Sequence, residues 1–140
     1  MLSETSAAHV TPRALYYRWL FITAAIWNLL SASAVLFLLT DASFRGEMGF
    51  PGPADLISLQ LLGACLFVFG LGYYWVSRDL SRNRDLVKLG VIGKPLVFLI
   101  FFGHALVKEI PVLLVAPSAV DLLFGVLFLE FLLRTRGKAQ

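Results

Sequence analysis

The chain has 140 residues, of which 59% are hydrophobic and 15% charged, with a mean hydropathy of +0.81. A soluble domain of this size has too much surface for its volume to hide that apolar content, so composition excludes one and points to lipid as the surrounding medium. The net charge of +3 and pI near 9.3 do not mark a nucleic-acid binder: the basic residues flank apolar segments, form no contiguous soluble face, and suit anionic headgroups instead.

Residues 1–12 are polar and end in Pro12, which reads as a disordered or surface-lying tail. The first span is expected over 15–39, long enough to cross with some tilt. It opens with Tyr16, Tyr17 and Trp19 beside Arg13 and Arg18, a mixture that belongs at headgroup level. It is not a cleavable signal, because the small run Ser31-Ala32-Ser33-Ala34 is followed by Val35-Leu36-Phe37-Leu38-Leu39, still apolar. The connection 40–52 carries Asp41, Arg45 and Glu47 among glycines and Pro51, with Phe44, Met48 and Phe50 interleaved. It reads as a loop on the bilayer surface or over the bundle mouth.

A second span is expected over 53–77, with Pro53 in its first turn and Asp55 near the positive end of the helix dipole. It closes on Tyr73, Tyr74 and Trp75 before Arg78, mirroring the start of the first span. The loop 78–88 is the most charged stretch, and Asp85 and Lys88 are spaced to pair on a helix surface. The third span, 86–109, contains Pro95 as a bend and Gly90 and Gly93 as points of close approach, with Lys94 snorkelling to the inner headgroups. The apolar link 110–117 between two prolines is expected to pack at membrane depth, and the fourth span follows over 118–134. A transmembrane domain thus covers 13–136, with a short tail at 137–140. The second and fourth spans begin alike, at Pro53-Ala54-Asp55 and Pro117-Ser118-Ala119-Val120-Asp121. A duplicated helical hairpin would leave such a likeness, and shared capping chemistry accounts for it as well.

Ten of the twelve Lys and Arg residues lie in the N-terminal tail and first-span entrance, the second connection (counting Lys94 with it) and the C-terminal tail; Arg45 and Lys108 are the others. Loops on the cytoplasmic side retain Lys and Arg, so the expected fold is an all-α bundle of four transmembrane helices with both termini cytoplasmic.

Few polar residues fall inside the spans: Asn28, Gln60, His104, Asp121 and Glu130. Counting from the interfaces places Gln60, His104 and Asp121 in the outer half, where Lys108 also lies, and these four form a candidate pocket. Asp121 is a reachable partner for His104, and His104 shares a helical face with Lys108. Plainer roles compete: Ser118 to Asp121 fits a capping box, Glu130 is spaced to pair with Arg134, and Asn28 suits a hydrogen bond between helices. Asn28, Gly63, Gly70, Gly90 and Gly93 are read as helix-packing positions. No catalytic set is present, and no metal site either, since His9 is in the tail and Cys65 is alone. His104, alone or paired across a dimer, is the one residue a haem would use, and no cofactor is assigned. The glycine runs at 90–95 and 70–73 lack the spacing and the preceding strand of nucleotide-binding loops.

At Phe69-Gly70-Leu71-Gly72-Tyr73, Arg78-Asp79, Arg82-Asn83-Arg84 and Leu89-Gly90 to Gly93-Lys94 the chain resembles a group of short bacterial four-helix membrane proteins without assigned function. In size and span count it is also similar to the DoxX-like group, which is associated with quinone-linked redox complexes, often as accessory membrane subunits. The resemblance implies a multi-pass protein of the bacterial inner membrane and carries no catalytic residue. The expected role is a non-enzymatic accessory or interaction subunit whose partners are the lipid bilayer, further copies of itself or other membrane subunits. The alternatives are binding or transport of a small molecule, lipid or quinone through the outer pocket, and a membrane-embedded enzyme.

Overall fold

A computed structural model describes residues 11–47 and 56–135. Helix α1 (Pro12–Ser33) continues into a π-helical turn, Ala34–Leu38, and is followed by the short α2 (Ala42–Glu47). Helices α3 (Leu56–Arg78) and α4 (Arg84–Leu106) come next, and a 3-10 turn (Val112–Leu114) leads into α5 (Val115–Arg134). The described residues are all helix and connection, and four helices are long and apolar enough to cross a membrane. This is the expected all-α, four-span bundle. Expectations resting on Met48, Phe50, Pro53 and Asp55 lie outside the described residues.

Local chemistry sets the ends of these helices. Thr11 caps α1, accepting a hydrogen bond from the Ala14 amide at 3.4 Å, and Pro12 fills the first turn, where its missing N–H costs nothing. Asp41 caps α2 through the Phe44 amide at 2.8 Å. The Arg45 guanidinium turns back to donate to the Leu39 and Thr40 carbonyls, which the end of the first span leaves without helical partners. In the α3–α4 turn the Asp79 carboxylate accepts from the Ser81 hydroxyl, the Ser81 amide and the Arg82 amide, and these bonds hold its carboxyl below the usual range.

The helices associate as two antiparallel pairs, α1 with α3 and α4 with α5, with α3 touching α4 more lightly. Within each pair small residues let the backbones approach. A Cβ placed on Gly63 would meet Leu36 at 2.5 Å and one on Gly70 would meet Leu29 at 3.0 Å, while one on Gly125 would meet the Pro95 ring at 3.2 Å. Lipid supplies no hydrophobic drive between helices, so such close contact is what holds them together. The two pairs then meet through large rings. Tyr17, Phe21, Tyr73, Phe128 and Phe131 interlock with centroids 4.9–5.1 Å apart, in tilted and edge-to-face arrangements.

This core lies toward the end where α1 starts, α3 meets α4, and α5 stops. In the opposite half of α4 and α5, Ala105 and Ser118 are the buried residues. Each aromatic belt splits. Tyr16 and Trp19 are exposed while Tyr17 is buried, and Tyr74 and Trp75 are exposed while Tyr73 is buried. The expected pairs Asp85–Lys88 (2.7 Å) and Glu130–Arg134 (3.2 Å) are present.

Three expectations are corrected. Helix α5 begins at Val115, ahead of Ser118, so Ser118 and Asp121 form no capping box; the Ser118 hydroxyl donates to the Val115 carbonyl within the helix. The link before α5 packs only in part: Ile110, Pro111, Leu114 and Val115 are half-buried, while Val112 and Leu113 are 75% and 71% exposed. The two glycines of α4 also part company. A Cβ on Gly90 would meet the Tyr73 hydroxyl at 2.7 Å and the Phe128 ring at 2.8 Å, whereas one on Gly93 meets nothing within 4 Å. Overpacking against rigid rings costs about 1–3 kcal/mol. Gly90→Ala is therefore expected to lower the unfolding temperature in detergent, and Gly93→Ala to raise it through the roughly 0.5–1 kcal/mol difference in helix propensity; thermal unfolding of the two variants side by side checks both signs.

Candidate functional site

Deep in the bundle, three helices contribute one polar group each. The Lys94 ammonium on α4 donates to Asn28 Oδ1 on α1 at 3.1 Å and to Asp121 Oδ1 on α5. The Lys94 and Asp121 side chains are 6% and 14% exposed. The rings of Tyr73 and Phe124 enclose the ammonium with centroids 5.4 Å away, adding cation–π attraction to the ion pair.

Depth makes the cluster costly and therefore informative. Lys94, Asp121 and Asn28 stand about 15, 20 and 24 Å along their helices from the basic end, at ~1.5 Å per residue, within a hydrocarbon core of ~30 Å. A charge at this depth needs a partner in the protein. Lys94 does not snorkel to the headgroups, as its position in the sequence had implied. Its ammonium is turned inward to a carboxylate and an amide, and the cluster closes with no net charge. Among the described residues no buried side-chain nitrogen or oxygen lacks a hydrogen-bond partner.

The local sequence places each member. On α5, Asp121, Gly125 and Phe128 follow at helical spacing, so one face carries the carboxylate, the gap into which Pro95 fits and a core ring. On α4, Gly90 and Lys94 share a face, one admitting Tyr73 and the other bonding across the bundle. On α1, Asn28 continues the stripe of Phe21, Ala24, Ala25 and Ala32, all buried. Asn28 thus bridges helices.

The four residues of the candidate outer pocket are joined to one another by no hydrogen bond. Asp121 pairs with Lys94, His104 pairs with Glu109, and the side chains of Gln60 and Lys108 are exposed. His104, Lys108 and Glu109 together build the end of α4. The Glu109 amide donates to the His104 carbonyl and the Lys108 amide to the Ala105 carbonyl, with Lys108 in the left-handed region at φ 60°. That is a Schellman ending with lysine where glycine is usual. The contact between its third-last and second-following positions, commonly apolar, is here the His104–Glu109 pair. Lys108→Gly is expected to stabilise the protein by about 1 kcal/mol, the cost of a side chain in that backbone region, read as a rise in unfolding temperature.

Spacing along the chain does not mark Lys94 and Tyr73 as site residues. The available signal was depth measured from the basic end, which brings the most deeply placed lysine and aspartate of two adjacent spans to similar levels. Breaking a buried pair leaves a charge without compensation and costs about 3–5 kcal/mol, whereas replacing both partners by apolar residues is often neutral. Lys94→Met and Asp121→Leu are each expected to destabilise strongly, and the double variant to recover most of the loss, in a double-mutant cycle of thermal unfolding. No group of three or more metal-ligating side chains occurs among the described residues. Comparison of the chain with family models, with curated proteins and with solved structures returned no match.

Proposed function

We propose that this multi-pass membrane protein is a non-enzymatic interaction subunit of the bacterial cytoplasmic membrane. Its termini face the cytoplasm, and it works in assembly with further copies or with other membrane subunits. The observation that carries this reading is the uneven use of its own surface. The chain closes a dense aromatic core in the basic half, yet the other half of α4 and α5 buries little beyond Ala105 and Ser118. Leu99, Phe102 and Leu106 stand exposed there, and a Cβ added to Gly103 meets nothing within 4 Å. Gln60 on α3 is exposed as well. Small and polar residues are what helices in lipid use to bind other helices, and among the described residues these face no partner helix.

The orientation rests on the basic residues that gather where α1 begins, α3 joins α4 and α5 ends, set against Arg45 and Lys108 at the other end. Reporter tags at Met1 and Gln140 are expected on the cytoplasmic face together. Purification from native membranes followed by intact mass spectrometry is expected to yield an oligomer or a hetero-complex. Gly103→Leu should dissociate it without lowering the monomer's unfolding temperature, and a strictly monomeric protein free of partners overturns the proposal.

A second reading draws on the Lys94–Asp121 pair, whose position at mid-membrane is where proton-carrying groups operate. It requires that Lys94→Met with Asp121→Leu, while folded, abolish proton or ligand movement in proteoliposomes; retained movement removes it.

A further inference from the structure

The basic end contains a cleft of about 180 Å³ between the start of α1, the α3–α4 turn and the end of α5. Arg13 from α1, Arg84 from the first turn of α4 and Arg134 from α5 line it, and no carboxylate is among the described lining residues. Its floor includes the buried rings of Tyr17 and Phe131. The Arg84 guanidinium is held in place by the Thr135 hydroxyl at 2.6 Å and the Leu132 carbonyl at 3.2 Å, and it lies 5.6 Å from the centre of the Phe131 ring. These bonds fix its plane and do not neutralise it. Arg134 is partly offset by Glu130, which meets its Nε. The amino-terminal end of α1, with its partial positive charge, opens on the same space at Arg13 and Ala14.

We infer that this cleft binds a phosphate group, and that the group is the headgroup phosphate of an anionic phospholipid. Guanidinium forks match phosphate oxygens. The apolar floor and the exposed belt of Tyr16, Trp19, Tyr74 and Trp75 place the cleft at the level where a lipid's glycerol backbone meets its chains. A free phosphate would use the arginines but gain nothing from the rings. Basic recesses between helix ends are a recurrent means of holding acidic lipids.

The test uses the purified full chain in a neutral detergent. Phosphatidylglycerol, phosphatidylcholine or inorganic phosphate is titrated in while thermal unfolding is followed. Phosphatidylglycerol is expected to raise the unfolding temperature saturably, with phosphatidylcholine and millimolar phosphate giving little shift. Arg13→Gln, which touches none of the bonds that hold α5, should weaken the apparent affinity roughly fivefold. Arg84→Gln should do the same where it folds. Arg82→Gln removes the same charge outside the cleft and should leave the titration unchanged. Equal shifts with both lipids, or equal losses for Arg82→Gln and Arg13→Gln, overturn the site. A shift with phosphate and none with lipid overturns the lipid as its source.

Discussion

A lysine ammonium in the middle of a hydrocarbon layer has no water to face, and most of this architecture follows from how that problem is solved. Lys94 is satisfied by Asp121 on α5 and Asn28 on α1, so one cation ties three of the four spans. Loss of either charge strands the other in a medium of low dielectric constant. The cluster therefore fixes which helices are neighbours and at what axial register, a specificity that apolar packing in lipid provides weakly because lipid tails are as apolar as leucine.

Around that cluster the bundle works by two different kinds of contact. Inside each helical pair, Gly63, Gly70 and Gly125 remove side chains so that Leu36, Leu29 and Pro95 can come close. Between the pairs, Tyr17, Phe21, Tyr73, Phe128 and Phe131 fill the space with interlocked rings. Gly90 belongs to both, since its missing side chain is what admits Tyr73 and Phe128 beside α4. The aromatic core and the ion pair are continuous through Tyr73, which touches Phe128 on one side and the Lys94 ammonium on the other. Beyond the ion pair α1 and α3 stay packed through Gly63 and Leu36, while α4 and α5 bury little beyond Ala105 and Ser118.

The basic end shows how one set of arginines serves more than one purpose. Retention of positive charge on one side of the membrane needs no particular geometry, yet Arg84 is bonded to the end of α5 and shares a cleft with Arg13 and Arg134. Arg45, at the other end, is taken up in capping the first span, and Lys108 in ending α4. Charges that in the primary structure only mark sidedness are thus also pieces of local helix chemistry.

Read as a string, the chain determined its medium, its four spans, the clustering of its basic residues at one end of the bundle, and the local pairs Asp85–Lys88 and Glu130–Arg134. These follow from composition and from spacings of three or four residues, which every helix turns into neighbours. It did not determine the buried cluster. Lys94 reads as a snorkelling residue and Asp121 as part of a helix cap because, taken one helix at a time, each has a cheaper local role. The extra turn gained when α5 started at Val115 removed the capping role, and the fit of Pro95 against Gly125 drew the two helices together. Whether a lysine reaches up to headgroups or across to a carboxylate depends on what stands opposite it, and only the packed tertiary structure supplies that.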